Sequence, residues 1–132
     1  MNVTLKSTDN NVHYTATNVR GQAVNLSGDR SGVGPMELVL MAMAGCSSID
    51  IDLILKRMRQ PLESIEVKVE GKRREEKPQT FTDIHMHFIL KGELKENKVK
   101  QAIDLSLEKY CSVSLMIAKS VNVTSSFEIT SS

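Results

Sequence analysis

The stretch Gly34-Pro35-Met36-Glu37-Leu38-Val39-Leu40-Met41-Ala42-Met43-Ala44-Gly45-Cys46-Ser47-Ser48-Ile49-Asp50-Ile51-Asp52-Leu53-Ile54-Leu55-Lys56-Arg57-Met58-Arg59 decides the fold. Pro35 suits the first turn of a helix, where the missing N–H would have had no partner. Gly34 then serves as N-cap and Glu37 falls at the third helical position, from which its carboxylate reaches back to the cap N–H. From Leu38 to Cys46 every side chain is apolar. A helix apolar all round is buried in a core or set in a membrane. Asp50 and Asp52 return charge well before the roughly 18–20 apolar residues a bilayer requires, so the expectation is a buried central helix. Run unbroken to Arg59, it would be ~37 Å long at 1.5 Å per residue.

Outward from this helix the pattern is of strands in blocks. Residues 2–7 and 12–18 alternate in character and flank Asp9-Asn10-Asn11, a hairpin signature, and residues 22–27 read as a third strand. Residues 28–34, with three glycines, form the loop into the helix. Beyond Gln60-Pro61, Ile65, Val67 and Val69 alternate with charged residues. After a mixed-charge turn at 72–78, Ile84, Met86, Phe88 and Leu90 share the face opposite His85 and His87. Residues 93–109 carry helical period, a short apolar helix runs to Ala118, and the chain closes in a strand through Val121, Val123, Ser125, Phe127 and Ile129. The order βββ–α–ββ–α–α–β predicts an α+β fold with antiparallel sheets packed around the long buried central helix.

The chain has 132 residues, enough for one domain spanning 1–132. Its formal net charge of +1 and 4% aromatic content argue against nucleic acid or an anionic membrane as partner. The N-terminal residues show no signal-type apolar run, so a cytoplasmic location is the default expectation. There, thiols are kept reduced, and the two cysteines, Cys46 and Cys111, are not expected to form a permanent bridge.

The site candidates narrow to those two thiols. His85 and His87 with Asp83 offer half a metal site, and no further ligand is evident, so no metal is expected. The glycine-rich loop lacks the Lys-Ser/Thr of a phosphate loop, and no cofactor is expected. A thiol becomes a nucleophile as thiolate, which a nearby cation or helix N-terminus favours. Cys111 precedes a short helix whose N-cap would be Ser112 or Ser114, while Cys46 sits inside an apolar helix. Local physics therefore ranks Cys111 as the more acidic thiol, with Arg20 and Arg30 as cations to serve Cys46.

The run from Gly32 through Gly34-Pro35 to Gly45-Cys46, with Glu108-Lys109-Tyr110-Cys111-Ser112-Val113-Ser114 downstream, resembles the OsmC/Ohr family, and within it the YhfA-like branch. That resemblance implies an intertwined homodimer and a thiol peroxidase acting on organic and inorganic hydroperoxides. It implies that Cys46 attacks the O–O bond, that its sulfenic acid condenses with Cys111, and that a dithiol reductant opens the disulfide. Family members hold an Arg against the thiolate and a Glu that orients it. Arg30 or Arg20 would be the Arg, with Arg30 preferred. The family's Glu position is Met36 here, and Glu37 is displaced by ~100° around the helix, so its place in the catalytic set departs from the pattern. The departure keeps a second reading open, a protein of this fold with little peroxidase activity that binds a small apolar ligand at the dimer interface. A purely structural role for both thiols is the third.

Overall fold

The computed structural model describes residues 1–131. They form six strands and three α-helices, in two compact units, Met1–Val39 and Leu40–Ser132.

The first unit is an antiparallel sheet of β1 (Val3–Ser7), β2 (His13–Asn18) and β3 (Ala23–Ser27), in that order. The alternation seen in the sequence is thus realised as two hairpins. The Asp9 carboxylate accepts the Asn11 N–H, and Asn18 Oδ1 accepts the Arg20 and Gln22 N–H groups, so each turn is closed by its own side chains. Leu5, Ala16 and Val24 lie in register across the sheet, yet Val3, Leu5 and Val24 are all exposed.

His13 ties the loops of this unit together. Its Nδ1 donates to Asp9 Oδ2 at 2.7 Å, and its Nε2 lies 2.8 Å from Asp29 Oδ2 and 3.1 Å from Ser31 Oγ. The bonds to Asp9 and then Asp29 raise the His13 pKa, while Ser31 and His13 hold the Asp29 carboxyl well below its usual range. The folded His13 binds its proton more tightly than the unfolded one. Its stabilising contribution is therefore complete below the unfolded pKa of about 6.5 and is lost as pH rises through the higher folded value. Melting temperature should accordingly fall on the alkaline side of about pH 6.5, and His13→Ala should flatten that fall. Equal slopes for wild type and variant above neutrality would refute the clamp.

Helix α1 runs Pro35–Arg57. Gly34 N donates to Glu37 Oε1 at 2.9 Å, the expected capping contact. The helix stops two residues short of Arg59, which takes φ 59°. Arg59 N donates to the Lys56 carbonyl and Gln60 N to the Leu55 carbonyl, the paired closure of a Schellman motif. The expectation of burial all round is corrected. Met43, Ser47, Ile51 and Leu55 make one buried stripe, four residues apart. Met41, Ile49 and Leu53 are 53%, 63% and 51% exposed. Two residues along a helix turn ~200°, so Met41, Ile49 and Leu53 occupy the opposite side. Among the described helices α1 alone is long and apolar enough to cross a bilayer, but its buried stripe, with Asp50 and Asp52 in the same run, suits a protein core.

In the second unit β4 (Leu62–Arg73), β5 (Phe81–Gly92) and β6 (Asn122–Thr130) form a sheet in that order. The β4–β5 hairpin is antiparallel, but β6 runs parallel to β5, against the expectation of purely antiparallel sheets. The 29 residues from 93 to 121, mostly helical, form a crossover long enough to return the chain in the same direction, which no tight turn can do. Ile84, Met86, Phe88 and Leu90 of β5 form the core with Met43, Ile51 and Leu55 of α1 and with Val99, Ala102 and Ile103. His85 and His87 lie on the other face, hydrogen-bonded to Thr124, Ser126 and Glu128 of β6. Those bonds follow from the parallel register, which sets His85 beside Thr124 and His87 beside Ser126.

Gly92 closes the β5 end with φ 143°, where an added Cβ would collide with the Pro61 carbonyl oxygen. Gly21 also has positive φ, 79°, but open space around it. Gly92→Ala should cost roughly 2–3 kcal/mol and Gly21→Ala about 1 kcal/mol, because only the first adds a backbone collision to an unfavourable φ. Comparable shifts in denaturant midpoint for the two variants would contradict this account.

Candidate functional site

The expected helix over 93–109 divides. α2 spans Glu96–Leu105, and Ser106–Tyr110 widen into a π-turn in which the Cys111 N–H donates to the Ser106 carbonyl at 2.6 Å. In an α-helix Tyr110 would follow Ser106 on the buried face; the five-residue turn hands that place to Cys111 instead. Tyr110 is accordingly 52% exposed and Cys111 fully buried. α3 (Ser112–Ile117) then begins with Cys111 itself as N-cap, not Ser112 or Ser114: its Sγ accepts the Ser114 N–H at 3.4 Å.

This placement brings the two thiols together. Cys46 Sγ, Cys111 Sγ and one carboxylate oxygen of Asp50 all lie within 4.8 Å of one another. Cys46 and Asp50 share a face of α1 at i, i+4 spacing. Asp50 Oδ2 accepts from the Ser106 hydroxyl at 3.1 Å. Ser106 therefore holds both sides of the site, Asp50 by its side chain and Cys111 by its carbonyl. Asp50 is the residue that sequence reasoning missed. The only signal was its place one helical turn after Cys46, which becomes meaningful once Cys111 is known to face the same side.

Cys111 does not gain the acidity its place before a helix led one to expect. Burial pushes the Cys111 pKa up, and the opposing contacts from Ser114 do not offset it. A helix of six residues has little dipole to offer a fully desolvated sulfur. Cys46 is only half-buried, so of the two it is the one a small molecule can reach. Arg20, Arg30 and Glu37 belong to the first unit. Arg30 sits in the loop before α1 with φ 67°, Arg20 donates its Nε–H to Gln22 Oε1, and Glu37 accepts the Gly34 N–H.

Comparison with known proteins then decides the family. The OsmC-like protein family matches residues 28–126. The chain belongs to that family. It is 53% identical over 104 residues to the protein YhfA of Escherichia coli K12, a match covering 78% of this chain and 77% of YhfA. A solved structure of a hypothetical protein from Aquifex aeolicus VF5 is 32% identical, with TM-score 0.91, covering 99% of this chain and 96% of that one. The organic hydroperoxide resistance protein OhrB of Bacillus subtilis shares the fold at TM-score 0.66 and 15% identity, covering 97% of this chain and 98% of that one. The OsmC-like fold is thus established for the chain, and proteins named for organic hydroperoxide resistance are among its structural neighbours.

Proposed function

We propose that the protein is a thiol peroxidase that reduces organic hydroperoxides, and hydrogen peroxide, with Cys46 as nucleophile and Cys111 as resolving thiol. The observation that carries this reading is the approach of the two sulfurs to within 4.8 Å with only Cys46 open to solvent. A peroxidatic sulfur must meet a peroxide molecule, whereas a resolving sulfur needs only to meet its partner. Cys46 thiolate attacks one oxygen of the peroxide bond; the sulfur is oxidised to sulfenic acid and the other oxygen leaves as alcohol, or as water from hydrogen peroxide, taking up a proton. The Cys111 thiol then attacks the sulfenic sulfur, the two sulfurs bond, and the hydroxyl departs as water with the thiol proton. A dithiol donates two electrons and two protons to restore both thiols.

Burial suits Cys111 to its part. A sulfur kept neutral and desolvated is protected from the peroxide until a sulfenic acid forms beside it. Arg30, with Arg20 as the second choice, would supply the cation that favours the Cys46 thiolate, and Glu37 would serve it chiefly by fixing the start of α1. The working unit in this reading is a homodimer comprising both parts of the chain. Its support is the apolar side of α1, with Met41, Ile49 and Leu53 exposed, and Leu115 and Met116 exposed on α3.

The test is to mix the reduced protein with cumene hydroperoxide or hydrogen peroxide, quench at intervals, and count thiols by intact mass. The expected product is a loss of two mass units with a Cys46–Cys111 link in the peptide map. Survival of both thiols through many minutes of excess peroxide would sink the proposal and leave ligand binding at the apolar interface as the reading to pursue.

A further inference from the structure

The convergence of Asp50 with the two thiols is more than disulfide chemistry requires, and it leaves three groups able to carry negative charge side by side. Among the described residues, none of the ion pairs within the second unit involves Asp50. We infer that the reduced protein binds one zinc-like divalent ion through Cys46 Sγ, Asp50 and Cys111 Sγ. The donors are already gathered within 4.8 Å. Tetrahedral zinc, with Zn–S near 2.3 Å and Zn–O near 2.1 Å, separates its ligand atoms by roughly 3.5–3.8 Å. Small side-chain rotations therefore suffice to close the set. Two soft sulfurs and one oxygen select zinc over magnesium or calcium, which take oxygen alone.

The groups behind the donors fit this reading. Ser106, fully buried, donates to Asp50 Oδ2 and so fixes the carboxylate from behind. Ser114 N–H points at Cys111 Sγ. The Ser114 hydroxyl, 1% exposed, has no hydrogen-bond partner among the described residues, and the N–H of the same residue contacts the Cys111 sulfur. An orphaned buried hydroxyl is costly beside a neutral thiol and is satisfied by a metal-bound thiolate, which is a much stronger acceptor. Cys46, half-buried, provides the way in, and water completes the fourth position. Binding releases the two thiol protons to solvent and forms two S–Zn bonds and one O–Zn bond. Disulfide formation consumes both sulfurs, so oxidation must release the ion and the ion must shield the thiols from oxidation. The inference stands independently of whether the thiols reduce peroxides.

The test is anaerobic titration of the reduced full-length protein with Co²⁺, followed by competition with Zn²⁺. One equivalent per chain should bind, with near-ultraviolet thiolate-to-cobalt charge-transfer absorption. Cys46→Ser or Cys111→Ser should remove about half of that absorption and weaken Zn²⁺ binding at least about tenfold. Asp50→Asn should weaken binding at least about tenfold with the absorption retained, since even the groups that orient a metal's ligands carry such factors. Asp52→Asn, whose side chain pairs with Lys56, should change nothing. Protein oxidised with diamide, a disulfide-forming reagent that needs no peroxidase activity, should not bind. Absence of the charge-transfer absorption in the wild type overturns the inference whatever the variants do. So does binding that His85→Ala or His87→Ala abolishes and the cysteine variants leave intact.

Discussion

Cys46→Ser is expected to lower peroxide consumption at least about a thousandfold, because a serine hydroxyl has neither the anion nor the polarisable sulfur that attacks a peroxide oxygen. Cys111→Ser should behave differently. The first turnover should proceed at close to the wild-type rate, since Cys111 is buried away from the peroxide and only Cys46 meets it. The variant should then stall, accumulating one sulfenic acid per chain that dimedone traps at Cys46. The opposite pattern, with Cys111→Ser inert to a first equivalent of peroxide and Cys46→Ser still oxidised at Cys111, would reverse the assignment. Local sequence alone ranked Cys111 as the more acidic thiol, which would favour that reversed order. What argues against it is burial, which pushes the Cys111 pKa up and closes the sulfur to solvent.

The contrast between those two orders marks where the sequence could and could not be read. Features set by neighbours a few residues apart were legible: Pro35 and Glu37 start α1, and the hairpins of β1 to β3 follow period-two alternation. Helical period over Val99, Ala102 and Ile103 located α2, although the expected span of 93–109 ran past both of its ends. The π-turn after it left no such mark, since Leu105 to Tyr110 would sit as well in an α-helix. One additional residue in that turn is what buries Cys111 and exposes Tyr110. The direction of β6 was hidden for a related reason. Alternation reports which face of a strand is buried, not which way the strand runs beside its neighbour. Asp50 read as the charge that ended an apolar run, and its role depends on Ser106, 56 residues away.

The same helix yields the second large effect. Ile49→Asp or Leu53→Asp should convert a two-chain particle into single chains, or lower its melting temperature sharply, while Asp52→Asn on the same helix does neither. Within one chain Ile49 and Leu53 touch so little that a carboxylate in their place would be harmless, at 63% and 51% exposure. If instead a second chain covers them, each substitution strands a charge in an apolar contact, at a cost of several kcal/mol. The physical case for the second chain comes from both units separately. Met41, Ile49 and Leu53 repeat on one side of α1, with Gly45 at the intervening turn adding no side chain, and Leu115 and Met116 of α3 are exposed as well. In the first unit, the sheet leaves Val3, Leu5 and Val24 uncovered, and a three-stranded sheet needs an apolar face packed against something. Light scattering on a sizing column decides between these alternatives. A wild-type mass of one chain at micromolar concentration, unchanged in both Asp variants, would refute the dimer. A two-chain mass lost in both would explain why a helix apolar on every side is only half covered by its own chain.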